Sequence, residues 1–143
     1  MVDGLVGSEM CIRDRIQIIA AVLGTLFANY IFGLNVIEIS SNIRSGANIY
    51  ISEFFAATGL LLVILLSRAD GKNVVSFNVG IYITAALIFT SSTSFANPAV
   101  TIARMFTESF TGINPSTVIF FISCQVIGMF AAYILYNQFF KSK

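Results

Sequence analysis

The chain has 143 residues, of which 57% are hydrophobic and 10% charged, and its mean hydropathy is +0.86. Because soluble domains carry about a quarter charged residues, this composition indicates a single membrane-embedded domain. The formal charge of +1 gives no basic surface for nucleic acid. The chain has no His, and Cys11 and Cys124 do not have the spacing of metal ligands. We therefore expect no metal, cofactor or nucleic-acid partner.

The first 15 residues lack the long apolar region and the small-residue cleavage site of a signal peptide. Residues 9–15, EMCIRDR, resemble the translation of the transposon-end oligonucleotide used in sequencing libraries. We therefore interpret residues 1–15 as an artefactual or disordered N-terminus. Residues 16–143 would then be the C-terminal portion of a longer protein. An ordinary cytosolic tail is the alternative.

Four apolar runs follow, each near the length of about 20 residues that crosses a hydrocarbon core. They occupy residues 16–34, about 50–67, about 74–92 and 116–139. A loop rich in Asn and Ser separates the first two runs, and a turn of sequence RADGKN separates the second from the third. The pattern predicts an all-α membrane protein with four spanning helices.

The lysine and arginine residues predict the orientation, because short cytoplasmic loops carry an excess of both. Arg68 and Lys72 follow the second run, and Lys141 and Lys143 follow the fourth. Both of these helix ends, and hence the C-terminus, are predicted to face the cytoplasm. Residues 93–115 then form an apolar stretch that starts and ends on the outer side and is too short to cross and return.

That stretch contains the pair Asn97-Pro98. Irregular backbone at membrane depth survives only when it is buried in protein or lines a water-filled cavity. Asn97 suits a helix N-cap, and Pro98 suits the first helical position. We therefore predict a re-entrant half-helix from Asn97 outward to about Phe110. The positive end of its dipole would lie near the bilayer midplane. Cations would be repelled there. The alternative for Asn97-Pro98 is a helix boundary in an outer loop. A second pair, Asn114-Pro115, is interpreted as the cap of the fourth run.

The triplet Asn97-Pro98-Ala99, placed between two spans, resembles the second NPA box of the aquaporin, or major intrinsic protein, family. The resemblance covers residues 16–139 and begins at the third helix of the family. It implies an incomplete aquaporin-like helical bundle of four spanning helices and one re-entrant half-helix. The first NPA half would be missing.

Four polar side chains support the resemblance. Glu53 and Thr58 match the Glu-x(4)-Thr pattern of the family's fourth helix, whose buried carboxylate holds the backbone of the re-entrant loop. Gln17 and Gln125 match the glutamine that opens the third and sixth helices, and the spans that contain them resemble each other as inverted repeats do. The alternatives are an interfacial carboxylate for Glu53 and generic interhelical hydrogen bonds for the two glutamines.

The selectivity filter departs from the family. Aquaporins usually place an arginine directly after the NPA triplet, where this chain has Val100. By offset from the triplet, the other filter positions fall at Ala85 and Ser94, and the fourth belongs to the missing half. The resemblance therefore implies a wide, weakly polar filter that does not select strictly for water.

Arg104 lies four residues beyond Val100, on the same face of a helix. It is predicted either to line the outer mouth, with Glu108 another four residues along as a partner, or to extend to the lipid headgroups. The combination of NPAV with a later arginine is similar to a bacterial branch of the family that is associated with neutral metalloid acids such as arsenous acid.

These observations predict a passive channel for small neutral solutes, with metalloid hydroxides or glycerol-like polyols ahead of water, and no enzymatic activity, since no nucleophile and base are paired. The alternative is a non-conducting membrane fragment with only a packing or assembly role. The resemblance implies a homotetramer at full length and a location in the bacterial inner membrane.

Overall fold

A computed structural model describes residues 2–70 and 74–140, and every regular element within them is helical. The elements in chain order are α1 (Val2–Ile31), α2 (Ala47–Asp70), α3 (Val75–Phe89), α4 (Pro98–Ala103), a 3₁₀ turn (Arg104–Phe106) and α5 (Pro115–Phe139). The predicted all-α fold is confirmed. Lys72, Lys141 and Lys143, on which the predicted orientation partly depends, lie outside the described residues.

Two of the described helices are long and apolar enough to cross a membrane. They cover Ala47–Ala69, with 23 residues, and Pro115–Phe139, with 25 residues. The third helix, Val75–Phe89, is apolar but shorter. Since about 20 residues span the hydrocarbon core, α2 and α5 meet the requirement by length and composition.

The helix ends differ from the predicted ends in α1, α2 and α3. Helix α2 begins at Ala47 and ends at Asp70, where the predicted run is about 50–67, and α1 ends at Ile31 rather than at residue 34. Helix α1 begins at Val2 and so includes residues 2–15, whose origin stays a prediction. Helix α3 ends at Phe89 rather than near residue 92, because Thr90 is extended, with φ −100° and ψ 136°, and its hydroxyl donates to the carbonyl of Ala86 at 2.6 Å. The hydroxyl thereby competes with the next helical turn.

The described chain divides into two compact units. The first contains residues 2–43 and 99–118, and within it α1 packs against the 3₁₀ turn. The second contains residues 44–70, 74–98 and 119–140, and within it α2 packs against α3. Each unit is described by itself.

Small residues let the helices of the second unit approach closely. Gly59 of α2 lies against the ring and hydroxyl of Tyr82 on α3, and this hydroxyl donates to the carbonyl of Ala56 at 2.9 Å. On α5, a Cβ at Gly128 would lie 2.6 Å from the carbonyl oxygen of Phe54. Helices in lipid associate through such packing and hydrogen bonds, because burial from lipid supplies no hydrophobic driving force.

Candidate functional site

The segment that joins α3 to α4 contains strained backbone. Thr93, Ser94 and Ala96 have positive φ angles of 60°, 44° and 48°. Residues other than Gly rarely adopt this left-handed region, which costs on the order of 1 kcal/mol or more at each position. The surroundings must therefore hold the segment in place. We name residues 90–97 the entry loop, because it leads into α4.

A buried carboxylate holds one side of the entry loop. Glu53 of α2 is 0% exposed, and its oxygens accept hydrogen bonds from the backbone amides of Phe95 at 3.3 Å and Ala96 at 2.5 Å. Gln125 of α5 donates its Nε2 to the same carboxylate at 2.7 Å. A buried charge is tolerated when donors surround it in this way. The structure thus brings together Glu53, Gln125 and the entry loop.

Thr58 lies one turn beyond Glu53, and its hydroxyl bonds to the helices α2 and α5. Its hydroxyl donates to the carbonyl of Phe54 at 2.7 Å and to that of Gly128 at 3.1 Å. The first bond lies within α2, and the second joins α2 to α5. The roles of Glu53 and Thr58 as supports of the loop stay predictions.

A guanidinium lies on the opposite, carbonyl-bearing side of the entry loop. Nη1 of Arg44 donates to the carbonyl of Ser92 at 3.3 Å and to the hydroxyl of Thr93 at 3.4 Å, and Cζ lies 5.1 Å from the centroid of the Phe95 ring. Burial lowers the pKa of Arg44, and the negative charge of Glu53 opposes that effect. The group stays protonated, because the pKa of an arginine is so high.

Sequence reasoning missed Arg44, although the sequence contains a signal for it. Arg44 is the only Lys or Arg in the polar loop between the first two apolar runs. That loop is predicted to be on the outer side, where the positive-inside rule disfavours a basic residue. A cation that breaks this rule is a candidate for a specific contact.

Serine hydroxyls complete the attachment of the entry loop. The amide of Ser92 donates to Oγ of Ser52 at 3.4 Å, and the amide of Ser94 donates to Oγ of Ser92 at 3.3 Å. Ser94, a predicted filter residue, is only 5% exposed. Its own Oγ has no hydrogen-bond partner among residues 2–70 and 74–140. A buried hydroxyl without a partner is costly and calls for an explanation.

The predicted NPA triplet lies at the start of α4. Asn97 is exposed and immediately precedes the helix, Pro98 is its first residue, and Ala99 is buried. Val100 is half-buried on the same helix. Proline fits the first helical position, since its missing N–H would have no partner there.

The half-helix is shorter than predicted, and the predicted end near Phe110 is wrong. The 3₁₀ turn ends at Phe106, and Thr107 is extended with φ −144°. Donors from outside the helix take up the last carbonyls: the amide of Ile113 bonds the carbonyl of Arg104 at 3.1 Å, and the amide of Ser40 bonds that of Met105 at 2.8 Å. Such external donors replace the next helical turn.

Asn29 of α1 caps the same end. It is 3% exposed, and its Nδ2 donates to the carbonyl of Phe106 at 2.8 Å and to that of Val36 at 3.2 Å. Sequence reasoning missed this residue, because its position in the first apolar run does not show which distant carbonyls its side chain meets. A polar side chain inside an apolar helix is nevertheless a general signal for an interhelical bond.

The Glu108 carboxylate bonds to a residue other than its predicted partner, Arg104. The Glu108 carboxylate accepts hydrogen bonds from the amide of Ser41 at 2.6 Å and from the Ser41 hydroxyl. These bonds lower the pKa of Glu108. Because the helix ends at Phe106, the four-residue spacing no longer aligns the two side chains on one face.

Arg104 lines a cavity of about 480 Å³ within the first unit. Asn29, Thr107 and Phe110 are among the other lining residues, and most of the lining is apolar. This placement is compatible with an outer-mouth role, which stays a prediction.

Two further predicted residues are exposed. Ala85 is exposed on α3, and Gln17 is exposed on α1. Their roles in the filter and in supporting the loop stay predictions. Among the residues that the structure describes, no group of three His, Cys, Asp or Glu residues could hold a metal ion.

The fold and the site together define an all-α membrane protein in which a buried acid holds the loop that leads into a short half-helix. The chain is 41% identical over 119 residues to the aquaglyceroporin AqpS of Rhizobium meliloti (strain 1021), a match that covers 83% of this chain and 51% of the relative. The chain belongs to the major intrinsic protein family and is an integral membrane protein, as the sequence predicted. It spans about half the length of the curated relative that it matches.

No family model matches the chain, and no solved structure matches it.

Proposed function

We propose that the chain contributes half of a passive channel for small neutral solutes, with metalloid hydroxides such as arsenous acid and glycerol-like polyols ahead of water. The observation that carries this proposal is the pair of hydrogen bonds from the amides of Phe95 and Ala96 to the buried carboxylate of Glu53. Irregular backbone of this kind persists at membrane depth only inside protein or beside a water-filled path. The similarity to a protein named an aquaglyceroporin supports the solute class.

In the proposed mechanism, Glu53 fixes the entry loop so that Asn97 starts α4 in a defined orientation. The Asn97 amide, whose side chain is exposed, can donate to a hydroxyl of the passing solute. Such a hydrogen bond replaces one that the polyol or metalloid acid makes to water outside the channel.

The proposed filter residues Ala85, Ser94 and Val100 are uncharged. Small and aliphatic side chains leave a wide constriction, so solutes larger than water are expected to pass. The homotetrameric assembly, the bacterial inner membrane and the cytoplasmic C-terminus are part of this proposal.

The test compares the chain alone with a hybrid in which the part of AqpS that it does not match is joined in front of residue 16. Both are reconstituted in vesicles, and light scattering follows swelling in glycerol, arsenous acid and water gradients. We expect the hybrid to pass glycerol and arsenous acid. Water flux without solute flux would reject the wide filter. A hybrid that carries Glu53→Gln is the matched variant and is expected to lose flux.

A second candidate applies to the chain by itself: a non-conducting membrane segment that packs or assembles. The exposed side chain of Asn97 favours it, because a solute path must be enclosed on every side. An inserted, helical hybrid that passes no solute would support this second candidate over the channel.

A further inference from the structure

Arg44 and Glu53 hold the entry loop from opposite chemical sides. The carboxylate accepts from the backbone amides of Phe95 and Ala96, while the guanidinium donates to the Ser92 carbonyl. The loop between these charges contains three residues with positive φ. A backbone in this unfavourable region keeps its shape only when its surroundings determine it.

The two charged residues differ in their exposure. Glu53 is 0% exposed, and three donors surround its oxygens. Arg44 is half-buried. The Glu53 charge still acts on the guanidinium, but Arg44 is the more exposed of the two charged residues.

The position of this cation matters because of what the chain lacks elsewhere. Val100 carries no charge at the position after the NPA triplet, and the filter residues Ala85 and Ser94 are neutral as well. A fixed arginine is one way in which a channel raises the barrier to protons and other cations. Arg44 contacts Thr93 and Phe95, which are the residues directly before and after Ser94.

We propose that Arg44 determines charge selectivity: its guanidinium, held on Ser92, Thr93 and Phe95, is the fixed cation of the entry loop and excludes cations from the solute path. The inference rests on the proposed channel function. Arg44 acts here through its charge and through its hold on the loop. It does not need to bind the solute.

The guanidinium suits this role better than an ammonium would. Its planar fork can donate to a carbonyl and a hydroxyl while its face lies over an aromatic ring. The contacts to Ser92, Thr93 and Phe95 use these properties together. The charge is thereby fixed in position and does not sample the range of a flexible surface side chain.

The experiment uses the hybrid channel in vesicles and measures proton leak and glycerol flux in the same preparation. Arg44→Gln removes the charge but keeps an amide donor, and Arg44→Lys keeps the charge. Arg68→Gln is the matched control, because Arg68 is exposed at the end of α2 and its loss changes the net charge equally. We expect the ratio of proton leak to glycerol flux to rise about tenfold in Arg44→Gln, which corresponds to about 1.4 kcal/mol.

Arg68→Gln should stay near the unsubstituted hybrid, and Arg44→Lys, which keeps the charge but loses the planar fork, should raise the leak less than Arg44→Gln does. An unchanged leak in Arg44→Gln with intact glycerol flux would overturn the inference, as would an equal rise in Arg68→Gln. Loss of glycerol flux in both Arg44 variants would reduce Arg44 to a structural clamp and reject the charge role. If the unsubstituted hybrid passes no glycerol, the proposed function itself fails, and the inference fails with it.

Discussion

The backbone nitrogen of Ala96 lies 2.5 Å from Oε1 of Glu53, so the residue directly before Asn97 is bonded to a carboxylate inside α2. Ala96 has a φ of 48°, which an alanine rarely adopts without such a partner. The carboxylate therefore contacts the entry loop directly in front of Asn97-Pro98, where α4 begins.

Replacing Glu53 by Gln tests this relationship. The amide nitrogen of Gln cannot accept from the Phe95 and Ala96 amides, which leaves at least one buried donor without a partner. We expect a loss of about 2–4 kcal/mol in the free energy of unfolding in detergent, with the helical content of the folded state unchanged. Unfolding followed by circular dichroism provides the measurement.

The matched control for that substitution is Glu38→Gln. Glu38 lies in the loop after α1 and accepts one bond from Asn35 at 3.0 Å. Its loss should change the free energy of unfolding by less than about 0.5 kcal/mol. Equal effects of the two substitutions would show that the buried bonds of Glu53 contribute nothing special.

A second prediction concerns the contact of α5 with α2. A methyl group added at Gly128 would lie 2.6 Å from the carbonyl oxygen of Phe54 and 3.0 Å from the Thr58 hydroxyl, so one helix must shift. We expect Gly128→Ala to cost about 1–3 kcal/mol in detergent unfolding.

The same substitution at Gly24 is the control, because nothing lies within 4 Å of a Cβ built there. Alanine favours helix over glycine, so Gly24→Ala should be neutral or should stabilise α1 by about 0.5–1 kcal/mol. A loss at Gly24 as large as that at Gly128 would argue against close packing as the cause.

Much of this arrangement could be predicted because it depends on local patterns. The apolar runs predicted the start of α5 to within one residue and each end of α2 to within about three residues, and the Asn97-Pro98 pair marked the start of α4. The contact of Glu53 with the loop came from a family pattern. A residue count in one helix cannot show which backbone amides its side chain will meet.

The parts that could not be predicted depend on contacts between distant residues. The carbonyls at the end of the half-helix bond to donors from distant residues, among them Asn29, which is 77 positions from Phe106 in the chain. Glu108 was expected to follow the helical spacing from Arg104, but its partner is Ser41, 67 positions away. Arg44 was overlooked for the same reason, since its contacts with Ser92 and Thr93 join separate loops.

A third prediction concerns Asn29. Replacing it by Ala leaves the carbonyl of Phe106 without its Nδ2 donor in a part-buried position. We expect a loss of about 1–3 kcal/mol and faster amide exchange at Ile113, whose own bond to the Arg104 carbonyl belongs to the same helix end. Asn42→Ala is the control, because its bond to the Ser109 carbonyl is exposed, and it should cost less. Equal losses would contradict a capping role for Asn29.

A fourth prediction is pH dependence at Glu108. Hydrogen bonds from Ser41 lower the pKa of this carboxyl from its ordinary value of 4.5. The contribution of the Ser41–Glu108 hydrogen bonds to the stability of the folded state is therefore fully present above pH 4.5. It is lost as the pH falls through the lower pKa that Glu108 has in the folded state. An NMR titration of the Ser41 amide should report this midpoint below 4.5. In Ser41→Ala, which removes the hydroxyl donor, the pKa of Glu108 should rise, and an unchanged midpoint would show that the hydroxyl bond has no influence.

A fifth prediction tests the filter at Val100, which is half-buried on α4. An arginine side chain there is longer than valine and carries a fixed charge, so it should narrow and polarise the proposed constriction. We expect Val100→Arg in the hybrid channel to reduce glycerol and arsenous acid flux about tenfold or more while water flux falls less. Val100→Leu, which adds bulk without charge, separates size from charge: it should lower solute flux only slightly. Equal solute flux in the unsubstituted hybrid, Val100→Arg and Val100→Leu would show that Val100 is not part of the filter. Loss of both water flux and solute flux in Val100→Arg would indicate a blocked path and would contradict a wide filter.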